Sequence, residues 1–431
     1  MANILYLSYD GLTDPLGQSQ ILPYIEGLSK KGHKFSLISF EKPERFKEGK
    51  RRIEKRCAAA NIDWHPLEYT KNPPVLSTLY DIDKLHKKSE ELHNKENFAL
   101  VHCRSYITSL VGLRLKENNK LPFIFDMRGF WADERVDGKI WNLSNPVYKS
   151  IYRYFKKKER KFLEKADAVV SLTEAGKSEI ENWFNNDPIF GGNENYYNYD
   201  RAAAVLKKTT IIPCATDLNH FDFTRISTNK RKWLGAVYGI DTDREYLGYV
   251  GSLGTWYMAE EMLALYHHLL QSRPKLRFLI LSHDNLDKLR EKADKRGIPR
   301  SFLVQIAAER KDVPALMSMM AASVFFILPA YSKKASSPTK QGELMAMGIP
   351  VICNDNVGDT GTIVRKYNSG YVNTDFNSVD FQKISDNWDE IIHLNPENIR
   401  HGAEDYFSLE KGIEAYRRIY ERILDNQAID A

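Results

Sequence analysis

The feature that most constrains this chain is a repeated alternation of short, nearly unbroken apolar runs with helix-length amphipathic stretches. In the first half the runs are "NILYLSY", "KFSLISF", "ALVHCRS", "LPFIFDMRG" and "DAVVSLT". In the second they are "EYLGYVGSLG", "LRFLILS", "FLVQIAA", "SVFFILP" and "PVICND". A strand that is apolar on both faces belongs in a parallel sheet covered by helices on each side. Between the runs lie "QSQILPYIEGLSKKG", closed by Gly32, then "DIDKLHKKSEELHNKE", "SYITSLVGLRLK", "VYKSIYRYFKKKERKFLEKA" and "EAGKSEIENWF". With 431 residues, one core is not enough. The expected fold is α/β, with two Rossmann-like doubly wound domains facing across a cleft. Their expected bounds are 1–207 and 208–405, with a closing amphipathic helix over 406–431. The polar and aromatic stretch from Asn186 to Leu206 reads as an irregular excursion before the domains change over.

Charge and cysteine usage exclude several classes. The 62 basic and 57 acidic residues leave a net charge of +5, too mild and too dispersed to argue for nucleic acid. Cys57, Cys103, Cys214 and Cys353 form no CxxC pair and sit beside apolar runs, as reduced structural thiols do. The N-terminus reads as a buried first strand and not a signal peptide, and no apolar run approaches the roughly 20 residues that span a bilayer. These readings imply a cytoplasmic protein. The stretch "IYRYFKKKERKFLEKA" mixes aromatic and cationic residues, which suits either contact with a membrane face or a solvated helix packed on the sheet.

Ligands of open parallel sheets gather at the carboxyl ends of the strands, and four loops at such ends carry chemistry. In "SYDGLTDPLGQSQ", Gly17 and a helix start at Gln18 and Ser19 would offer backbone N–H groups to an anion. This is not a GxGxxG fingerprint, so dinucleotide binding is poorly supported. "FDMRGFWADERVDG" gathers Asp126, Arg128, Asp133 and Glu134, with the Arg128 fork suited to phosphate or carboxylate. One strand earlier "VHCRSY" offers His102, as a ligand or as a satisfied interior histidine. In "GYVGSLGTWY", Gly251 and Gly254 bracket Ser252 and Leu253, a turn through which backbone N–H groups can approach phosphate. The last loop, "SSPTKQGELMAMG", sets Ser337, Thr339 and Lys340 before a helix, a hydroxyl and a cation suited to a diphosphate. Glu343 follows one turn on and can accept from two ribose hydroxyls. No His/Asp cluster argues for a metal, and no cofactor is expected.

Together these segments resemble the retaining glycosyltransferases of family 4, of the kind that build bacterial capsule, exopolysaccharide or lipopolysaccharide. The resemblance runs through "YDGLTDPLGQSQILPYIEGLSKKGH", "DMRGFWADER", "IIPCATDL", "YVGSLGTWY", "SSPTKQGELMAMGIPVI" and the tail "FSLEKGIEAYRRIY". It implies the GT-B architecture, with a nucleoside-diphosphate sugar held mainly by the second domain. A glycan or polyprenyl-linked acceptor would be held by the first, and the terminal helix would pack back toward it. It also implies transfer with retention, no divalent metal and no covalent enzyme intermediate. Glu343 corresponds to the second carboxylate of the family's E-x7-E pair. Ser337, Thr339 and Lys340, with the backbone around Ser252 to Gly254, would hold the diphosphate, and Gly17 would approach it from the first domain. Two departures stand out. Ala335 occupies the place of the first carboxylate, and the usual arginine and lysine of the glycine loop fall on Ser252 and on Trp256 or Tyr257. Lys340 is the first candidate to replace the missing cations, ahead of Arg128, Arg310 and the Lys333/Lys334 pair. Arg128 stands where many relatives have a histidine. Asp126, Asp133 and Glu134 are acceptor-orienting candidates. A nucleotide-sugar epimerase on a similar scaffold and a non-catalytic nucleotide-sugar binder are the alternatives.

Overall fold

The apolar runs are the strands of two parallel sheets. The computed structural model describes residues 2–187, 189 and 199–430. The chain forms two units, Met1–Pro213 with Leu409–Ala431, and Cys214–Ser408. The bounds of 207 and 405 read from the sequence fall a few residues ahead of these divisions.

The first unit holds strands β1 (Asn3–Ser8), β2 (Lys34–Glu41), β3 (Ile62–Glu68), β4 (Leu100–Arg104), β5 (Phe123–Asp126), β6 (Ala168–Ser171) and β7 (Thr209–Ile211). Their order in the sheet is β3-β2-β1-β4-β5-β6-β7, every pairing parallel. Its helices are α1 (Pro15–Gln20), α2 (Leu22–Lys30), α3 (Pro43–Ala59), α4 (Leu76–Glu96), α5 (Ser105–Asn119), α6 (Trp131–Asp137), α7 (Pro146–Lys165), α8 (Glu174–Asn186) and α9 (Tyr199–Lys207). β1 pairs with β2 on one side and β4 on the other, and is buried from Ile4 to Ser8. That two-sided burial is why its sequence is apolar without alternation.

The second unit holds β8 (Tyr246–Val250), β9 (Arg277–Leu281), β10 (Leu303–Ile306), β11 (Ala322–Phe325), β12 (Val351–Asn354) and β13 (Gly370–Asn373), in the order β10-β9-β8-β11-β12-β13. All its strand pairs are parallel too. Its helices are α10 (Thr228–Tyr238), α11 (Ala259–Ser272), α12 (Asp287–Lys295), α13 (Val313–Met317), α14 (Thr339–Ala346), α15 (Thr360–Lys366), α16 (Ser378–Asp386), α17 (Trp388–Ile392) and α18 (Pro396–Tyr406). The final helix, α19 (Leu409–Asp430), belongs to the first unit and packs on α2, where Gly27 faces Ile413 and Gly412 faces Tyr24. A Cβ on Gly27 would come within 2.2 Å of Ile413 Cδ1, so the small residues set how closely these helices approach.

Both sheets reverse their strand order beside the first strand, at β1/β4 and at β8/β11. Those reversals are the topological switch points where such sheets bind ligands.

Four local expectations differ from the structure. The helix expected from Gln18 to Gly32 is two helices broken at Ile21, because Pro23 has no N–H to continue the ladder. The excursion from Asn186 to Leu206 ends in a helix, α9, while its segment 190–198 lies outside the described residues. The charged segment after β5 is a loop only as far as Phe130, and Asp133 and Glu134 lie in the first turn of α6. Strands β3, β7 and β13 gave no apolar run; all three are end strands most of whose residues are only partly buried, and β3 also carries charge and Pro66. Among the described residues no helix is long and apolar enough to cross a membrane.

Candidate functional site

At the switch point of the second sheet, β8 is followed by Gly251, whose φ of +103° suits glycine and turns the chain sharply out of the sheet. Its N–H is spent on Leu281 O, 2.9 Å away. The following donors are engaged as well. Leu253 N donates to Asp284 Oδ2 at 2.7 Å, Ser252 Oγ donates to the same oxygen at 2.9 Å, and Gly254 N donates to Ser252 Oγ at 3.2 Å. The loop expected to hold phosphate thus holds a carboxylate from the end of β9. It is an anion cradle in which Asp284 takes the anion's place.

Opposite this loop, the segment after β11 leads through a short 3-10 turn, Tyr331–Ala335, into α14, which starts at Thr339, two residues before the sequence pattern placed it. Lys340 is turned inward, 6% exposed. Its Nζ donates to Tyr249 Oη at 2.9 Å and lies 4.1 and 3.7 Å from the ring centroids of Tyr249 and Tyr257. A Cβ built on Gly251 would lie 3.4 Å from the same Nζ, so this glycine also leaves room for the lysine. An ammonium between two aromatic faces is attracted by both rings. Burial nevertheless pushes its pKa well below the usual lysine value, with Glu343 and Asp284 pulling it back. One turn along α14, Glu343 has a side chain 17% exposed, and Arg310 Nη1 is 3.9 Å from its Oε1. Burial raises its pKa to about 7 against the opposing pull of Arg310 and Lys340.

The neighbours complete the rim. Ser337 Oγ accepts from Cys214 N at 3.2 Å, while Thr339 is half-buried at the first position of α14. Lys333 is buried, its Nζ 3.6 Å from the Trp256 ring, and Arg310 remains 54% exposed. Ala335 is 1% exposed, so the position that resembles the family's first carboxylate presents only an apolar wall. The structure therefore brings Lys340, Glu343, Arg310 and the Gly251–Gly254 loop together. It adds Tyr249, Tyr257 and Asp284, which the sequence argument did not select. Their signals were a tyrosine inside β8 and an aspartate just past β9.

The residues proposed in the first unit fare differently. A Cβ on Gly17 would meet Gly11 O at 2.1 Å, and Gln18 N already donates to Asp14 O at 3.1 Å. The helix begins at Pro15, so Gln18 is no helix start. Its Nε2 donates to Thr13 O at 3.0 Å. The donors of this loop are held by Glu41: Leu12 N at 2.7 Å, Thr13 N at 3.1 Å and Thr13 Oγ1 at 2.5 Å.

His102 and Asp126 form an interior cluster sealed by α19. Tyr416 Oη donates to Asp126 Oδ2 at 2.9 Å, His102 Nε2 is 3.3 Å from the same oxygen, and His102 Nδ1 is 2.7 Å from Tyr420 Oη. An ionised carboxylate only accepts, so Nε2 carries the imidazole proton and Nδ1 accepts from Tyr420. Burial lowers the His102 pKa, in keeping with a neutral ring. Burial raises that of Asp126, but Arg128, His102 and Arg104 more than offset it and hold the carboxyl below its usual value. His102 is therefore the satisfied interior histidine of the two readings. Asp126, 1% exposed, has no open face for an acceptor. Arg128 folds inward, 3.9 Å from Asp126, with its backbone at φ +55°. Asp133 is likewise committed, accepting from Tyr152 Oη at 2.7 Å and Lys156 Nζ at 3.0 Å. Glu134 stays half-buried on α6. One group of three ligand-type side chains occurs among the described residues, Asp63, His65 and Glu96, with Lys34 3.7 Å from Glu96.

Comparison with known proteins assigns the class. Residues 20–190 match the model described as Glycosyltransferase Family 4, and residues 233–402 match Glycosyl transferases group 1. No curated protein matches the sequence. The fold recurs in sucrose-phosphate synthase from Thermosynechococcus elongatus, at 15% identity and a TM-score of 0.69 over 99% of this chain and 100% of that one. A glycosyltransferase from Rickettsia africae has 16% identity and a TM-score of 0.68 over 99% of each chain. HepE of Anabaena, in complex with UDP and glucose, has 12% identity and a TM-score of 0.64 over 98% of this chain and 100% of that one. The chain has the GT-B fold, with two Rossmann-like domains, and is related to the glycosyltransferases of these two models.

Proposed function

We propose that the protein is a retaining glycosyltransferase that moves a sugar from a nucleoside-diphosphate sugar to a glycan or lipid-linked acceptor in the synthesis of a cell-surface polysaccharide. The observation that carries the reading is the meeting of Lys340, Glu343 and the Gly251–Gly254 loop at the switch point of the second sheet. Both family matches support it, as does the UDP complex of a protein with the same fold.

In this reading the diphosphate lies over the start of α14. Lys340 and Thr339 meet it with a cation and a hydroxyl, and Ser252 to Gly254 turn N–H groups toward it as Asp284 is displaced. Ser337 adds a second hydroxyl. Glu343 releases Arg310 and accepts from the two ribose hydroxyls. The bond from the anomeric carbon to the β-phosphate oxygen breaks, and the charge that develops on that oxygen is what Lys340 stabilises. The acceptor hydroxyl attacks from the same face, and its proton passes to the departing phosphate, so no protein base is needed. No covalent enzyme intermediate forms, and no step uses a metal. Lys340 takes the part of the basic residues that the glycine loop lacks, with Tyr249 and Tyr257 as its positioning residues. The two alternatives to transfer, an epimerase and a non-catalytic binder, predict different outcomes with a donor alone.

A panel of UDP-, GDP- and other nucleotide sugars tests this. Slow release of nucleoside diphosphate from one donor, accelerated by an acceptor, is the expected result. Interconversion of two nucleotide sugars without an acceptor would indicate an epimerase. Tight nucleotide binding with no release from any donor would indicate a non-catalytic binder.

A further inference from the structure

Single exposed apolar side chains are ordinary, but contiguous ones are not. Among the described residues, seven of the thirteen large hydrophobics that are exposed lie on two stretches of the first unit. Leu76, Leu79 and Tyr80, 57–63% exposed, stand on the first turns of α4 behind Val75. Ile140, Val147 and Tyr154, 47–60% exposed, stand on the segment from the end of α6 into α7. Between the two stretches lies an open groove of about 630 Å³, lined by Val75 and Leu79 on one side and Ile140 and Tyr154 on the other. Its floor is aromatic. Trp131 packs edge-on to Trp141 and Phe155, at 5.3 and 4.8 Å, and Trp141 stacks on Phe155.

Two further observations say what covers it. The first is charge. Lys71, Arg114, Arg135 and Lys158 line the groove, and its acidic lining residue, Glu117, is already paired with Lys161 at 2.7 Å. The outer side of α7 adds exposed Lys149, Arg153 and Lys157. The second is strain. Val75, a β-branched residue, is held at φ +70° in a three-residue turn closed by Leu76 N to Pro74 O at 2.9 Å. Such backbone is costly and recurs at ligand clamps; here it sits where Val75 and Leu76 are carried out to solvent. A second copy of the chain across a two-fold axis would set these cations against one another. A soluble polyanion would leave the apolar rims in water. An anionic bilayer satisfies both: aromatic and aliphatic side chains enter the interface, and cations meet phosphates.

We propose that this groove and its two rims dock the protein on an anionic phospholipid surface. The docking elements are the start of α4 and the α6–α7 segment. The α7 stretch noticed in the sequence divides: Lys156, Glu159, Phe162 and Leu163 belong to the interior, while Ile151, Tyr154, Phe155 and Lys158 line the groove. The proposal does not rest on the donor site, so Lys340→Met should dock like the unaltered chain.

Vesicle flotation of the full chain tests it. Vesicles containing phosphatidylglycerol should carry the protein, phosphatidylcholine alone should carry far less, and added salt should weaken the binding. Leu76→Asp and Leu79→Asp should each lower partitioning roughly tenfold or more, with unchanged thermal unfolding because both side chains are exposed. Val237→Asp, an exposed apolar position of the second unit, should leave partitioning unchanged. Equal flotation of the leucine variants would overturn the proposal, as would no flotation at all. Two other results would overturn it in favour of a different occupant. One is a dimer that Leu79→Asp converts to monomer. The other is saturable quenching of tryptophan fluorescence by dispersed single lipids without vesicle binding.

Discussion

The two switch points of this molecule are built from the same parts and serve different ends. In each, a glycine-bearing loop follows the unit's first strand, and a carboxylate at or just past the end of the neighbouring strand gathers the loop's donors. In the first unit Glu41 is 2% exposed and takes Leu12 N, Thr13 N and the Thr13 and Ser39 hydroxyls. There is no space beside it: a Cβ on Gly11 would lie 2.8 Å from Glu41 Oε2, and one on Gly17 would strike backbone. In the second unit Asp284 is half-exposed, Gly254 has only Ser252 Oγ near it at 3.5 Å, and a lysine reaches in from α14. A closed cradle fixes a turn, whereas an open one beside a desolvated cation can exchange its carboxylate for a ligand. A glycine in such a loop does not distinguish the two; what packs against it does.

The largest effect that would sharpen this contrast is at Lys340. Lys340→Met keeps the volume between Tyr249 and Tyr257 and removes a desolvated charge, so folding should be unharmed. Turnover should fall by about 10²–10³ as the leaving phosphate loses its cation. Glu343→Gln comes next, and its sign is the informative part. The folded-state pKa of about 7 lies above the usual carboxylate value, so the acid form is the one the fold favours. Its stabilising contribution is complete at low pH and is lost as pH rises through about 7. The glutamine should then raise stability above pH 8 by up to ~3 kcal/mol, with little change at pH 4, while weakening nucleotide binding. Urea unfolding at the two pH values checks it; a loss of stability at both would mean that Glu343 is a structural residue.

Binding itself should follow both groups. Nucleotide affinity should climb as Glu343 ionises through about 7, then fall as Lys340 loses its proton well before the usual lysine value. Lys340→Arg should move only the alkaline limb, as seen by titration across pH. Smaller effects separate the carboxylates. Glu41→Gln should cost about 2 kcal/mol, because four donors lose their charged partner, and Asp284→Asn less than 1 kcal/mol. The glycines come last: Gly17→Ala should cost about 1–2 kcal/mol through overpacking, and Gly254→Ala should fall within about 0.5 kcal/mol. Equal costs for the two glycines would break the comparison.

The sheet was legible because buried parallel strands must be apolar on both faces, as β1, β8 and β11 are. Three of the four end strands, β3, β7 and β13, escaped because most of their residues are only partly buried, which lets β3 carry Asp63, His65 and Pro66; the fourth, β10, buries Leu303 and Ile306 and reads as "FLVQIAA". Lys340 and Glu343 could be read from their spacing at a helix start. Whether donors near them were occupied could not, because Asp284 and Glu41 reach their loops from other strands. The same reason hid the fate of Asp126. Its partner Tyr416 and the His102 partner Tyr420 stand four apart in the tail, a spacing that puts them on one face of α19, but nothing local to "DMRG" indicates that the tail covers it.

The central claim is that the open switch point of the second unit holds a nucleoside diphosphate through Lys340. It is tested most directly by titrating nucleoside diphosphates against the unaltered chain and Lys340→Met. At least one should bind the unaltered chain and bind the methionine variant some tenfold or more weaker, with unfolding unchanged. Equal affinity in the two proteins would contradict the account.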